Sequence, residues 1–261
     1  MILNQRPDIA IAKLKESLWV YGSRVGSKSW QSVESPDDTL ELLNESIRFP
    51  LDMDLSKLKE TIRPNLPWAD VHFEERVSGI PHNPPPSHEI WPFTQSNNQK
   101  FRKDEKFSHT YPERFWPKYA GGSPTLENIL PSALRGIRYN YGDLQSVINL
   151  LVKDPTTRQA YLPIWFPEDT GAEEGQRVPC TLGYHFIYRN QMLYINYYIR
   201  SCDIIRHMRD DLYLAARLCH YVANYLEINL GIRVIPGALT MHITSLHCFY
   251  KERHLLKLDK Y

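Results

Sequence analysis

The sequence predicts an α/β, or α+β, fold, and three stretches carry that prediction. Residues 181 to 200 read as two strands joined by a tight turn at Arg189-Asn190. Residues 210 to 230, DDLYLAARLCHYVANYLEINL, place Leu214, Leu218, Val222 and Leu226 on one side at helical spacing, with Asp210 as N-cap candidate and Gly231 as C-terminal stop. Residues 141 to 154, YGDLQSVINLLVKD, form a second amphipathic helix with Val147, Ile148, Leu150 and Leu151 inward, halted at Asp154-Pro155. A hairpin-based sheet covered by helices is the expected architecture.

At 261 residues the chain can bury a sizeable core as one large domain or two small ones. A formal net charge of +1 excludes a mainly electrostatic partner such as duplex DNA or an anionic membrane. Any bound anion is therefore expected to be small and held in a local pocket. Cysteines at 180, 202, 219 and 248 show neither CxxC pairing nor zinc-like spacing, so no metal is expected and the thiols read as reduced. With no apolar signal segment or membrane span, the expected location is cytoplasmic, in the host if the chain is phage-encoded. Twelve per cent aromatic residues and 19 prolines predict long ordered loops around the β structure.

In chain order, residues 7 to 20 read as an amphipathic helix through Ile9, Ile11, Leu14, Leu18 and Trp19. YGSRVGSKSWQSVES follows, either a surface turn or a loop gripping a phosphate with Arg24 and backbone amides. Residues 37 to 48 and 68 to 79 read as helical, the second carrying Glu74 and Glu75 and stopping at Gly79. Five prolines within 80 to 93 keep the preceding helix from continuing, and the polar stretch from 80 to about 130 is expected to be an insertion. Inside it, FSHTYPERFWPKYA (107 to 120) is expected to pack as an ordered aromatic loop. TTRQAYLPIW reads as a strand opening with Arg158, and 237 to 250 as the last strand.

Cys180 is the candidate nucleophile, because a thiolate adds well to electron-poor carbon when a nearby cation lowers its pKa. A lone cysteine is nonetheless more often a core residue. Cys219, beside the apolar stripe of its helix, reads as one of those. Arg200 and Ser201 suit a phosphate monoester, and with Asp203 they end a strand ahead of a helix, where pockets form. His242 and His247, five residues apart on a strand, face opposite sides and make no metal pair. His247 is either a ligand contact or a structural histidine.

Taken in order, these motifs resemble the thymidylate synthase superfamily, closest to its pyrimidine nucleotide hydroxymethylases. The match runs through SRVGS with Arg24, FEERVSG, YGDLQSVINLLVKDPTTRQAYLPIW, the PC motif at Cys180, RSCD at 200 to 203 and SLHCF at 245 to 249. It implies a single domain over 1 to 261: a mixed, mainly antiparallel sheet flanked by helices, packed through the sheet as a homodimer. It also implies that Cys180 attacks C6 of a pyrimidine nucleoside monophosphate, with 5,10-methylenetetrahydrofolate as co-substrate. Arg24, Arg200 and Ser201 would hold the phosphate, and Arg158 the phosphate bound by the neighbouring subunit. Glu75 would order water and move protons near the base, and Tyr111 would lie near the cysteine. Asp203 would face the folate, and His247 with Phe249 would meet the sugar.

Asp211 stands where uracil-using members carry asparagine. A carboxylate cannot donate to O4, but it suits the N4 amino group and a protonated N3 of cytosine. The implied reaction is folate-dependent C5-hydroxymethylation of dCMP or CMP, serving modified DNA or a nucleoside natural product. The alternatives are a thymidylate synthase or dUMP hydroxymethylase and, from another class, a nucleotide-binding homologue without turnover. The sequence departs from the family at Phe249, which replaces a tyrosine and weakens recognition of the sugar 3′-hydroxyl, and at Gln159, where a second phosphate arginine is common. It ends eleven residues after Tyr250, without the long C-terminal lid of the synthases, which leans toward addition of water rather than hydride.

Overall fold

A computed structural model describes residues 2–3, 6–26, 29–30, 33–34, 37–93, 102–103, 105–118, 120, 142–170 and 177–257. The N-terminal helix α1 (Pro7–Tyr21) buries Ala10, Ile11, Leu14 and Leu18, while Ile9 and Trp19 of the predicted apolar face stay exposed. Next come β1 (Ser23–Val25), a small ribbon of β2 (Ser29–Trp30) and β3 (Val33–Glu34), and the long strand β4 (Thr39–Pro50). Helices α2 (Leu55–Ile62) and α3 (Trp68–Val77) lead to a second ribbon, β5 (Arg102–Lys103) with β6 (Lys106–Phe107). After α4 (Tyr111–Phe115) and α5 (Leu144–Lys153), strand β7 (Tyr161–Pro163) precedes the hairpin of β8 (Thr181–Arg189) and β9 (Met192–Asp203). Helix α6 (Met208–Leu230) then connects to β10 (Ile235–Phe249).

Six strands form the main sheet in the order β1-β4-β10-β9-β8-β7. Every pairing is antiparallel except β9 with β10, whose parallel alignment needs a crossover, and α6 supplies it. The stripe Leu214, Leu218, Val222 and Leu226 is buried, as its spacing predicted, and each side chain gains roughly 2 kcal/mol by leaving water. Cys219 is fully buried, its thiol directed at Leu193 O at 3.4 Å. Gly231 closes α6 in the left-handed conformation, with φ of 64°. At Gly183 a Cβ would lie 2.3 Å from the Tyr161 hydroxyl, so only glycine lets β7 approach β8 this closely.

Several local expectations are corrected. Residues 37–48 are not helical; 39–50 is a strand. Asn44 adopts φ of 60°, and neither it nor Thr244 opposite takes a place in the pairing between Glu45↔Ile243 and Leu43↔Ser245. This irregularity shifts the alternation by one residue, so that the buried positions Leu40 and Ile47 lie seven apart and imitate helical spacing. The hairpin turns at Asn190 and Gln191, both with positive φ, one residue later than predicted. Asp210 is not the N-cap of α6, a place held by His207; its buried carboxylate accepts from Asn65 N at 2.7 Å and Asn65 Nδ2 at 2.8 Å. Arg158 precedes β7 rather than opening it, and the 107–120 loop encloses the short helix α4.

Helices α1, α5 and α6 pack on one side of the sheet, where Phe186, Ile195, Tyr197, Ile199 and Met241 are buried. On the other side Tyr194, Asn196, Tyr198, Thr240 and His242 are half-buried, and Tyr198 stacks on His242 with centroids 4.9 Å apart. No described helix is long and apolar enough to cross a membrane.

Candidate active site

Cys180 sits immediately before β8 and is half-buried rather than sealed in the core. The β8–β9 pairing fixes its backbone, with Arg200 N donating to Cys180 O at 2.9 Å. The Arg200 guanidinium curls over the same segment, donating to Pro179 O at 2.9 Å and Val178 O at 3.3 Å. Burial pushes the Cys180 thiol up; Arg200 and Arg177 pull the other way, and Asp211 adds to the rise.

The residue after the cysteine organises a buried hydroxyl chain. Thr181 Oγ1 is bonded to the Tyr111 hydroxyl at 3.1 Å and to the Tyr197 hydroxyl at 3.0 Å. Tyr197 in turn helps to hold down the pKa of the Asp211 carboxyl. Burial raises the Asp211 carboxyl to about 7; Arg76 opposes this rise and the neighbouring Asp210 reinforces it. Tyr111 comes from α4, whose start is fixed by a capping box between Thr110 and Glu113.

Helix α3 turns a polar face inward. Trp68, His72 and Arg76 recur every four residues and are all buried. Glu75 is buried too, accepting from Ser87 Oγ at 2.7 Å, from Ser87 N at 2.9 Å and from His72 Nδ1. Burial works to raise its pKa, but these donors outweigh it and the carboxyl lies below its usual range. His72 is within ion-pair distance of Glu75 yet neutral, because burial and then the adjacent Arg76 lower its pKa to about 4. Arg76 Nη2 can only donate to His72 Nε2, at 2.6 Å, so the imidazole proton sits on Nδ1 and points at Glu75.

Beside this wall lies a cavity of about 120 Å³, lined among others by Trp68, His72, Trp91, His109, Tyr111 and Arg177. Its walls are flat rings: Trp68 stacks on His72 at 4.6 Å, and Trp91 stacks on His207 at 5.6 Å. Larger hollows lie against α1 and α2 (340 Å³) and beside Arg158 and Arg189 (540 Å³), but neither contains a nucleophile. Among the described residues no cluster could hold a metal.

The remaining predicted residues divide into two groups. Asp203 ends β9 with its carboxylate accepting from Ile205 N and Arg206 N at 2.9 and 3.0 Å. It lies opposite His247 of β10, whose buried Nδ1 has no partner among the described residues. Phe249 is buried under Arg206, 4.4 Å from its ring. By contrast Arg24 is exposed on the outermost strand, bonded to Asp38 at 2.5 Å and lying over Tyr250. Four strand spacings, about 19 Å, separate β1 from β8. Arg158 is exposed at the opposite edge, and Ser201 pairs across the sheet with Ser245.

Cys180, Tyr111, Arg200 and Asp211 are thus brought together, with Asp203 and His247 close by, while Arg24 and Arg158 stand apart in one chain. Sequence reading missed Arg76, His72, Arg177, Thr181 and Tyr197. Only the first two had a usable signal, the four-residue spacing from Trp68 that puts them on the apolar face of α3.

A half-buried thiol acted on by two guanidiniums, a carboxylate of raised pKa and a ring-walled cavity therefore lie in one part of the molecule. The sequence model of the thymidylate synthase family matches residues 90–259, and the chain belongs to that family. Its members transfer one-carbon units to pyrimidine nucleotides with methylenetetrahydrofolate as co-substrate. Arg24 and Glu75 lie ahead of the matched segment. No curated protein matches the chain.

Proposed function

We propose that the protein hydroxymethylates C5 of a cytidine nucleotide, CMP or dCMP, with Cys180 as nucleophile. The observation carrying this reading is Asp211, a half-buried carboxylate whose charge bears on the Cys180 thiol. With its carboxyl raised to about 7, Asp211 can share one proton with cytosine N3 and accept a hydrogen bond from the N4 amino group. A protonated Asp211 offers one donor and one acceptor, as an amide does. That chemistry supports a uracil nucleotide as the second reading.

The chain's own residues divide the work. Cys180 adds to C6, giving C5 enamine character, with Arg200 and Arg177 supplying the positive field that favours thiolate. The hydroxyls of Tyr111 and Tyr197, locked by Thr181, hold the sulfur's surroundings in one geometry. The co-substrate fits the chemistry of the cavity, which Trp68 and Trp91 line with flat rings. When bound, methylenetetrahydrofolate supplies a carbon at the oxidation level of formaldehyde. The half-buried sheet face around Tyr198 and His242 supports a homodimer packed through the sheet, each protomer lending Arg158 to its partner's phosphate site.

Incubation with each pyrimidine monophosphate and methylenetetrahydrofolate, followed by mass measurement of the product, tests the reaction. A hydroxymethyl gain on a cytosine nucleotide is expected; a methyl gain on dUMP would refute it. Tritium release from C5, absent in both wild type and Cys180→Ser despite nucleotide binding, would leave a binding protein without turnover.

A further inference from the structure

Arg76 is a buried cation that no part of the proposed reaction yet uses. Its side chain is 4% exposed, and Nε is buried without a partner among the described residues. Its guanidinium lies 3.9 Å from the centroid of the Tyr111 ring, and its charge bears on Tyr184, which stacks on Tyr197 at 4.8 Å. Nη2 is fixed by His72, and His72 is fixed by Glu75 and Ser87. Glu75 itself is enclosed: protein donors occupy both carboxylate oxygens, and the cavity wall beside it is made by His72 and Ser87. The open valence of the Glu75–His72–Arg76 relay therefore lies at its guanidinium end.

Resting on the functional reading above, we infer that Arg76 is the charge-stabilising residue of thiolate addition, and that Glu75 and His72 position it. In that step the sulfur pair forms the S–C6 bond, and the C5=C6 π pair moves onto C5 and, by conjugation through C4, onto ring N3 of the cytosine. Nothing leaves, so the thiolate's negative charge is carried into the ring. Arg200 spends two of its donors on Pro179 and Val178, at the phosphate end of the site. Arg76, on the Tyr111 and Asp211 side, is the fixed cation facing the charge that develops. A guanidinium held by an imidazole and a ring face needs no reorganisation when that charge appears, and in a dry site its field is little screened. Among the described residues, the charged and titratable groups bearing on Asp211 are Arg76 from α3, Tyr197 and Asp203 from β9, and Asp210 from α6. Asp211 in turn acts on Cys180, Tyr184, Tyr111 and Cys202.

The test compares full-length wild type, Arg76→Gln and Arg76→Lys by tritium release from [5-³H]CMP and [5-³H]dCMP, with nucleotide Kd measured separately. Arg76→Gln is expected to slow release about 100-fold while Kd stays within about threefold, because the lost interaction belongs to the adduct. Its pH profile should move to higher pH, since Asp211 loses the cation that restrains it. Arg76→Lys should keep the wild-type profile and recover at least about tenfold of the rate. The inference is overturned if Arg76→Gln releases tritium at the wild-type rate, or if both variants fail alike with binding and helix content lost. Wild type that binds the nucleotide but releases no tritium would overturn the enzymatic reading together with this one.

Discussion

The wall around Cys180 and the arginines assigned to the phosphate are built on opposite physical terms. At the wall, Glu75, His72 and Arg76 have almost no exposure and Asp211 is half-buried, so their charges act at low dielectric on one another and, through Asp211, on the thiol. Arg24 and Arg158 stand at opposite edges of the sheet in water, Arg24 held by a surface ion pair that contributes at most about 1 kcal/mol. On the proposed function, one protomer completes the part of the site that would handle the base and leaves the phosphate part to a partner subunit.

The sharpest way to break the comparison is to remove the thiol. Cys180→Ser should abolish C5 tritium release by at least about a thousandfold while nucleotide Kd changes little, because a hydroxyl in this field is not ionised. Comparable loss from Arg24→Ala would place the chemistry at the rim instead.

How legible these two regions were in the sequence follows the same division. Cys180, Arg200 and Asp211 fall on a hairpin and a strong helix, where alternation and a long apolar stripe fix the register, so their convergence was readable. Arg76 and His72 carried only the weaker signal of their four-residue spacing from Trp68, because a helix carrying HFEER looks solvated until Tyr111 is seen packing against it. The β4 strand was misread for a different reason: one left-handed residue, Asn44, changed the phase of its alternation. No local pattern could have placed Arg24 against Asp38, a contact fixed by the pairing of β1 with β4.

Acid stability separates the regions next. His72 is buried, His109 and His207 are half-buried, and all three are neutral, with pKa values lowered to about 4, 3 and 3, chiefly by desolvation. The unfolded chain takes up these protons near pH 6.5 and the folded chain does not, so stability is full above pH 6.5 and declines as pH falls toward 4. Asp211 works in the other direction: its folded carboxyl, at about 7, binds a proton that the unfolded chain accepts only near 3.8, so it adds stability as pH falls. In urea unfolding between pH 7 and 4, His72→Gln should therefore lose less than wild type, by up to roughly 3 kcal/mol. Asp211→Asn should lose more. Parallel losses in all three proteins would show that the buried wall does not govern acid lability.

Asp211→Asn also sharpens the choice of base. Cytidylate binding by wild type should weaken as pH rises through about 7, as the proton shared with N3 is lost, and the variant should show no such step. An amide presents a donor to O4 and an acceptor to N3–H, so relative affinity should swing toward the uracil nucleotide by about a hundredfold. An unchanged preference would remove Asp211 from base reading and leave the cytosine assignment without support.

The smallest expected effect bears most directly on assembly. Arg158→Ala should raise KM for the nucleotide by about tenfold, the value of one charge-assisted contact to phosphate, and leave the corresponding nucleoside unaffected. If Arg158 serves the partner's site, subunits carrying Arg158→Ala and subunits carrying Cys180→Ser should rescue each other when mixed. The heterodimer then contains one site with both an intact cysteine and an intact arginine, and on random equimolar mixing about half of all dimers are heterodimers. Recovery to no more than the sum of the separate variants would instead confine Arg158 to its own chain. The cleft it shares with Arg189 would then be a surface feature of the β7–β8 edge, and the phosphate would have to be held by Arg200 and its neighbours alone.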